Sequence, residues 1–352
     1  MQPHAHRLVV LLAVTLASGP LLYAPPSGAV AIDWVTVGDP GNAPDNTGIG
    51  AVATVYRISK YEVTNAQYAE FLNAMADSDP KGLYNTLMGS NAIVGGITRS
   101  GTNGSFTYSA KVGFASKPVV FVSFYDSLRF ANWLHNGQPT GAQDTTTTED
   151  GAYTITAGGI STNSIVRNVG ATSFLTNEDE WYKAAYYDAI STSYFEYPVG
   201  TDSRTGCVGP GSDTGNSANC DAAVGSLTDV GAYTLSASPS GTLDQGGNVW
   251  EWNEAALGGN RRIRAGGWTK QNRPDQLAAS FRESTGATFE TISIGFRVGN
   301  VVPEPSTGLL VIAGLFVLGF GHRARARSNV PRLARGRPVR RGATSGRTRD
   351  QC

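Results

Sequence analysis

Apolar positions along the chain fall into three helix-length repeats, each preceded by a residue able to cap a helix. In "VYRISKYEVTNAQYAEFLNAMA", Tyr56, Ile58 and Val63 suit a strand, and Tyr68, Phe71, Leu72 and Met75 then share one helical face. Thr64, with Gln67 three residues on, predicts a capping box between the two. "KPVVFVSFYDSLRFANWLHNG" repeats the arrangement, with a short buried strand over 119–122 and a cap at Ser123 answered by Asp126. Leu128, Ala131, Trp133 and Leu134 line the helix that follows. In "FLTNEDEWYKAAYYDA", Thr176 is the expected cap and Asp179 the residue returning the bond. Residues 80–115 and 200–247 are rich in small polar residues without a sustained period and read as ordered loops. Short strands return at "GNVWEW", "RIRAGGW" and "GFRVGN", giving an α+β pattern with unusually little regular structure.

Both ends break this pattern. His4, His6 and Arg7 precede an apolar stretch over 8–17, and Ala29-Val30-Ala31 supplies small residues suited to leader cleavage, so 1–31 reads as a signal peptide. Near the other end, Pro303-Glu304-Pro305 leads into an apolar run over 308–320 and then a basic cluster. Those thirteen residues are short of the roughly 20 a full membrane span needs. The arginines directly after the run favour a membrane-linked sorting segment over 302–327, followed by a basic tail over 328–352.

Composition supports a turn-rich domain between these ends. Charged residues make up only 16% of the chain and glycine supplies 43 of its 352 residues, against averages of about 25% and 7%. The formal net charge of zero conceals ten arginines within 323–349. Without the leader and that tail, the body carries 17 basic and 27 acidic residues, a net charge of −10. Such a body repels nucleic acid and attracts cations. Of three cysteines, Cys207 and Cys220 can close a disulfide loop in an oxidising compartment or stand as two free thiols, and Cys352 lies in the tail.

Six motifs in fixed order carry a resemblance: "ISKYEVTNAQYAEFLNA", "PVVFVSFYDSLRFANWL", "LTNEDEWYKAA", "GGNVWEW", "RAGGW" and "GFRV". Together they resemble the formylglycine-generating enzyme, or sulfatase-modifying factor, family over about 33–300, which places the domain at 32–301. The resemblance implies a compact C-type-lectin-like α+β fold and an oxidase that converts a sulfatase cysteine to formylglycine with dioxygen and copper. The C-terminal segment resembles a PEP-CTERM sorting signal, which implies exosortase-type machinery as a partner, transient membrane anchoring, and delivery to the envelope or exterior.

The family's chemistry needs two cysteines, five residues apart, after a Gly-Gly turn like Gly266-Gly267. The corresponding positions hold Gln271 and Gln276, and no cysteine occurs between 221 and 351. Thiolates are soft ligands suited to Cu(I), whereas a glutamine amide is a hard neutral donor, so copper is not expected and no catalytic residue is assigned. Another branch of the family uses histidines with iron. Here His4 and His6 lie in the leader and His322 in the tail, leaving His135 alone, a solvent-facing residue at a helix end. The chain also lacks a nucleophile elbow, a P-loop and an H-E-x-x-H motif.

In the family a calcium ion sits at the segment matching 244–251. By that resemblance the side chains of Asp244 and Glu251 and the carbonyls of Gly247 and Val249 ligate it, which suits calcium's preference for six to eight oxygens. The alternative is an ion pair between Glu251 and an arginine such as Arg297, with Trp250 and Trp252 as ordinary core residues. A second, weaker calcium match falls on Asn219 and the carbonyl of Cys220. The polar stretch 268–290 occupies the segment lining the family's groove, and Trp268, Gln271, Arg273, Gln276, Phe281 and Arg282 are its candidate ligand contacts. Two functions remain: a non-catalytic, calcium-stabilised surface protein binding an unknown ligand, or an oxidase in which Cys207 and Cys220 serve as the redox pair.

Overall fold

The structure, a computed structural model, describes residues 29–302 apart from Asn272. Residues 1–28 and 303–352, where most of the expected signal peptide, sorting segment and basic tail fall, lie outside the described residues.

The chain begins with β1 (Trp34–Val37), β2 (Tyr56–Ser59), α1 (Asn65–Met75) and the short α2 (Leu87–Ser90). A hairpin of β3 (Ile97–Ser100) and β4 (Thr107–Ala110) precedes α3 (Phe124–His135), α4 (Ala157–Thr162) and β5 (Ser173–Leu175). Next come α5 (Glu178–Tyr186) and four two-residue strands, β6 (Tyr187–Asp188), β7 (Ser193–Tyr194), β8 (Gly206–Cys207) and β9 (Ser217–Ala218). The last part holds β10 (Trp250–Leu257), β11 (Asn260–Arg264), β12 (Glu283–Gly286), β13 (Ile294–Gly295) and β14 (Val298–Val301). Two four-stranded sheets organise the body, in the orders β1-β2-β14-β5 and β12-β11-β10-β13. The first is antiparallel throughout, and β10 meets β13 in parallel. Much of the remaining chain is loop, as the composition predicts.

The two expected capping boxes form. Thr64 accepts from the Gln67 N–H while Gln67 returns the bond, and Ser123 and Asp126 do the same for α3. The third lies one residue later than expected: Asn177 caps α5 and Glu180 answers it. Thr176 is buried with its hydroxyl unpartnered, and Asp179 accepts from the Gly50 N–H at 2.8 Å. This register points Glu180 at Arg167, which bonds both its oxygens at 2.7–2.8 Å.

Residues 119–122 are buried as expected but do not form a strand. Phe121 sits at φ +63°, which no strand accommodates, and its N–H goes to the Thr291 carbonyl instead. The main core gathers Tyr68, Phe71, Phe130, Trp133 and Phe296, whose ring centroids lie 5.2–6.4 Å apart where they contact. His135 lies in the last turn of α3 as expected and is half-buried. Its Nδ1 accepts from the Thr172 N–H at 3.0 Å and contacts the Thr172 hydroxyl at 2.8 Å, tying α3 to the approach of β5.

Candidate functional site

Two segments converge on the region singled out by sequence, namely 244–251 entering β10 and 265–290 leaving β11. Entry to β10 requires an unusual backbone. Asp244, Gly247 and Asn248 have φ values of +62°, +87° and +57°. A Cβ on Gly247 would lie 2.6 Å from the Asn219 carbonyl oxygen, so only glycine fits. The turn delivers Asn248 into a dense set of bonds. Its N–H donates to the Asn219 carbonyl at 2.8 Å and its carbonyl accepts from the Trp268 N–H at 2.9 Å. Its side-chain oxygen accepts from the N–H and hydroxyl of Thr228, and its amide donates to Glu62 Oε1 at 3.0 Å.

Strand alternation then separates Glu251 from the flanking tryptophans. Trp252 turns into the core and donates its indole N–H to the Val122 carbonyl at 3.0 Å. The Trp250 ring lies 6.1 Å from that of Phe281. Glu251 faces Arg297: Nε donates to Oε2 at 2.6 Å and Nη2 to Oε1 at 2.8 Å. Trp181 also donates to Oε2, at 2.6 Å. The rest of the guanidinium is satisfied by the carbonyls of Ser59, Lys60 and Leu243. Glu251 and Arg297 are both completely buried, so each neutralises a charge that would otherwise stand uncompensated.

Two more buried carboxylates share this neighbourhood. Burial pushes Glu62 well above the usual carboxylate range, and the charge of Asp244 pushes it further. Its Oε2 has no hydrogen-bond partner among the described residues. Burial likewise raises Asp244 to about 6, against the opposing effects of the Gly231 N–H it accepts and of Arg297.

The sequence-selected groove residues divide into two sets. Trp268 is buried and donates to the Ile292 carbonyl at 3.1 Å. Arg282 bonds both oxygens of Glu178, which also takes Arg264, and Phe281 packs on Trp250. These three hold the segment to the body. Gln271 and Arg273 are exposed, with Arg273 beside Asp275 at 3.7 Å, and Gln276 is half-buried with an unpartnered side-chain oxygen. A polar surface of amides and one guanidinium is what the segment offers a ligand. Cys207 and Cys220 form a disulfide with Cα atoms 4.9 Å apart. Cys220 is buried in a cluster with Tyr197, Ala218, Leu277 and Ala278, while Cys207 and Phe281 pack at its edge.

The model of the sulfatase-modifying factor enzyme 1-like domain matches residues 35–301. The chain belongs to this family. Among curated proteins no relative matches the sequence. Among solved structures, CarF is similar at 21% identity, over 78% of this chain and 99% of that one, with a TM-score of 0.48. Variable protein 1 of Treponema denticola is similar at 18% identity, over 76% and 95%, with a TM-score of 0.49. PvdO from Pseudomonas aeruginosa is similar at 16% identity, over 78% and 93%, with a TM-score of 0.40. The mixed α and β content, low in regular structure, is that of a sulfatase-modifying factor enzyme 1-like domain.

The two metals that the resemblance implies meet different donor sets here. For copper, the matching positions offer the Gln271 and Gln276 amides, which do not fit a thiolate-preferring ion. For calcium at 244–251, Glu251 already accepts from Arg297 at both oxygens and from Trp181 at Oε2, so it stands there as one half of a buried ion pair. At the second calcium match, Asn219 Oδ1 is buried and unpartnered, but the Cys220 carbonyl accepts from the Ala223 N–H. Among the described residues, no group of three or more His, Cys, Asp or Glu side chains is arranged to hold a metal.

Sequence reasoning singled out Asp244, Glu251 and the tryptophans but not Glu62, Asn248, Glu178 or Trp181, which complete the polar interior. All four lie within the motifs that carry the family resemblance, in "YEVTN", "TNEDEW" and "GGNVWEW".

Proposed function

We propose that this chain is an exported, envelope-associated sulfatase-modifying-factor domain that does not catalyse formylglycine formation and presents the 268–290 segment to a surface ligand. One observation carries the reading: the two cysteines of the domain are bonded to each other, and the positions the family uses for copper hold Gln271 and Gln276. A bridged sulfur pair offers no thiolate to Cu(I). The leader and the PEP-CTERM-like segment support export, sorting by exosortase-type machinery and removal of the tail. The net charge of −10 on the body disfavours nucleic acid as ligand. The experiment mixes purified protein with a sulfatase-type peptide and with Cu(I). An unchanged peptide mass and no copper uptake are expected; a mass loss corresponding to conversion of cysteine to aldehyde sinks the proposal.

A second reading has one observation in its favour. The disulfide packs on Leu277 and Ala278, within the family's groove segment. In this reading the reduced pair serves as the copper dithiol of a formylglycine-generating oxidase. It requires peptide conversion to appear after mild reduction and to vanish in Cys207→Ser.

A further inference from the structure

Two cleavage registers fall where the leader meets the domain. A cut needs small residues at its last and third-last positions, and both Ala29-Val30-Ala31 and Ser27-Gly28-Ala29 meet that need. A leader over 1–31 takes the first, but residue size alone admits either. The fold distinguishes them, because residues 30 and 31 are built into the domain. Val30 is buried within the main hydrophobic core at 8% exposure. Its N–H donates to Gln138 Oε1 at 2.6 Å and its carbonyl accepts from Gln138 Nε2 at 2.9 Å, so one amide clamps both sides of the residue. The Ala31 carbonyl accepts from Gln67 Nε2 at 2.9 Å. This is the same Gln67 whose Oε1 accepts from the Thr64 N–H at the cap of α1. Cleavage after Ala31 would remove a core side chain and three hydrogen bonds, and would leave Gln138 without either partner.

We propose that the mature protein begins at Val30, cut between Ala29 and Val30. This rests on the export reading and assigns its processing site. The new terminus keeps its contacts, since an α-ammonium donates to Gln138 Oε1 as the amide does, and gains charge in doing so. Ala31 is exposed, so its side chain has no part in the clamp.

The test expresses the full chain in an exporting Gram-negative host and sequences the N-terminus of the folded, exported product. Val30 as first residue is expected. Ile32 as first residue overturns the register while leaving export intact, and retention of residues 1–29 overturns the leader reading itself. A second variant keeps the result independent of folding: Ala31→Arg places a large charged side chain at the last position of the rejected register. That variant is expected to be processed to Val30 at the wild-type level, and loss of processing defeats the proposal.

Discussion

Arg297 grips Glu251 at two points, Nε to Oε2 at 2.6 Å and Nη2 to Oε1 at 2.8 Å, with neither side chain reaching solvent. Breaking such a pair from one side leaves a buried charge uncompensated, at a cost of about 3–5 kcal/mol. Arg297→Ala is therefore expected to lower the melting temperature by roughly 10 °C, given about 2–4 °C per kcal/mol in a large domain. Replacing both partners with methionine should recover much of that loss, because apolar packing removes both charges together. A thermal melt of the three proteins checks this, and an Arg297→Ala melt within 2 °C of wild type would falsify the assigned role.

Stability should fall as pH rises through the weakly acidic range. Burial raises both Glu62 and Asp244, Asp244 to about 6. A carboxyl group whose folded pKa exceeds its unfolded value binds more protons in the folded state. Its contribution is complete below the unfolded value near 4 and is lost as pH rises through the folded one. Glu62→Gln removes one of these ionisations while keeping an acceptor for the Asn248 amide. This variant is expected to melt above wild type at pH 8 and to converge with it near pH 4. A lower melting temperature at pH 8 counts against the buried-carboxylate account.

Opening the Cys207–Cys220 bridge should cost about 2–3 kcal/mol, the usual effect for so short a loop. The double serine variant is expected to remain folded and to melt roughly 5–10 °C lower. Unfolding at room temperature would mean that the bridge supports much more than its own loop.

Chelation should leave the melt unchanged. A calcium ion present at 100 times its dissociation constant adds about 2.7 kcal/mol, a shift that calorimetry resolves easily. With Glu251 engaged by Arg297 and Trp181, none is expected. A chelator-induced drop of several degrees would restore the calcium reading and direct attention to Asn219, whose buried Oδ1 is unpartnered.

Local chemistry was the most legible part of the sequence. Thr64 with Gln67 and Ser123 with Asp126 announce their helices because a capping box is complete within four residues. At α5, Thr176 and Asn177 are both competent caps, and the ion pair between Glu180 and Arg167, thirteen residues away, decides between them. Period-two alternation places Glu251 opposite its tryptophans, but its partners lie 46 and 70 residues distant in sequence. The bond from Asn248 to Glu62 spans 186 residues. No local pattern specifies such pairs. The strand expected at 119–122 fails for a related reason, since the backbone turns over at Phe121 to meet Thr291. In the groove segment, composition suggested six ligand contacts, whereas Glu178 had already claimed Arg282 and the Ile292 carbonyl Trp268.

The first sheet joins the two extremes of the domain: β14, reached only at Val298–Val301, lies between β2 and β5, with Gly299 opposite Ile58. A hydrogen-bonded ladder of that kind closes a loop of more than two hundred residues, among the slowest contacts a chain can make. A nascent polypeptide therefore lacks an inner strand of this sheet until synthesis is almost finished. Any truncation before residue 298 should yield material prone to degradation rather than a smaller working domain.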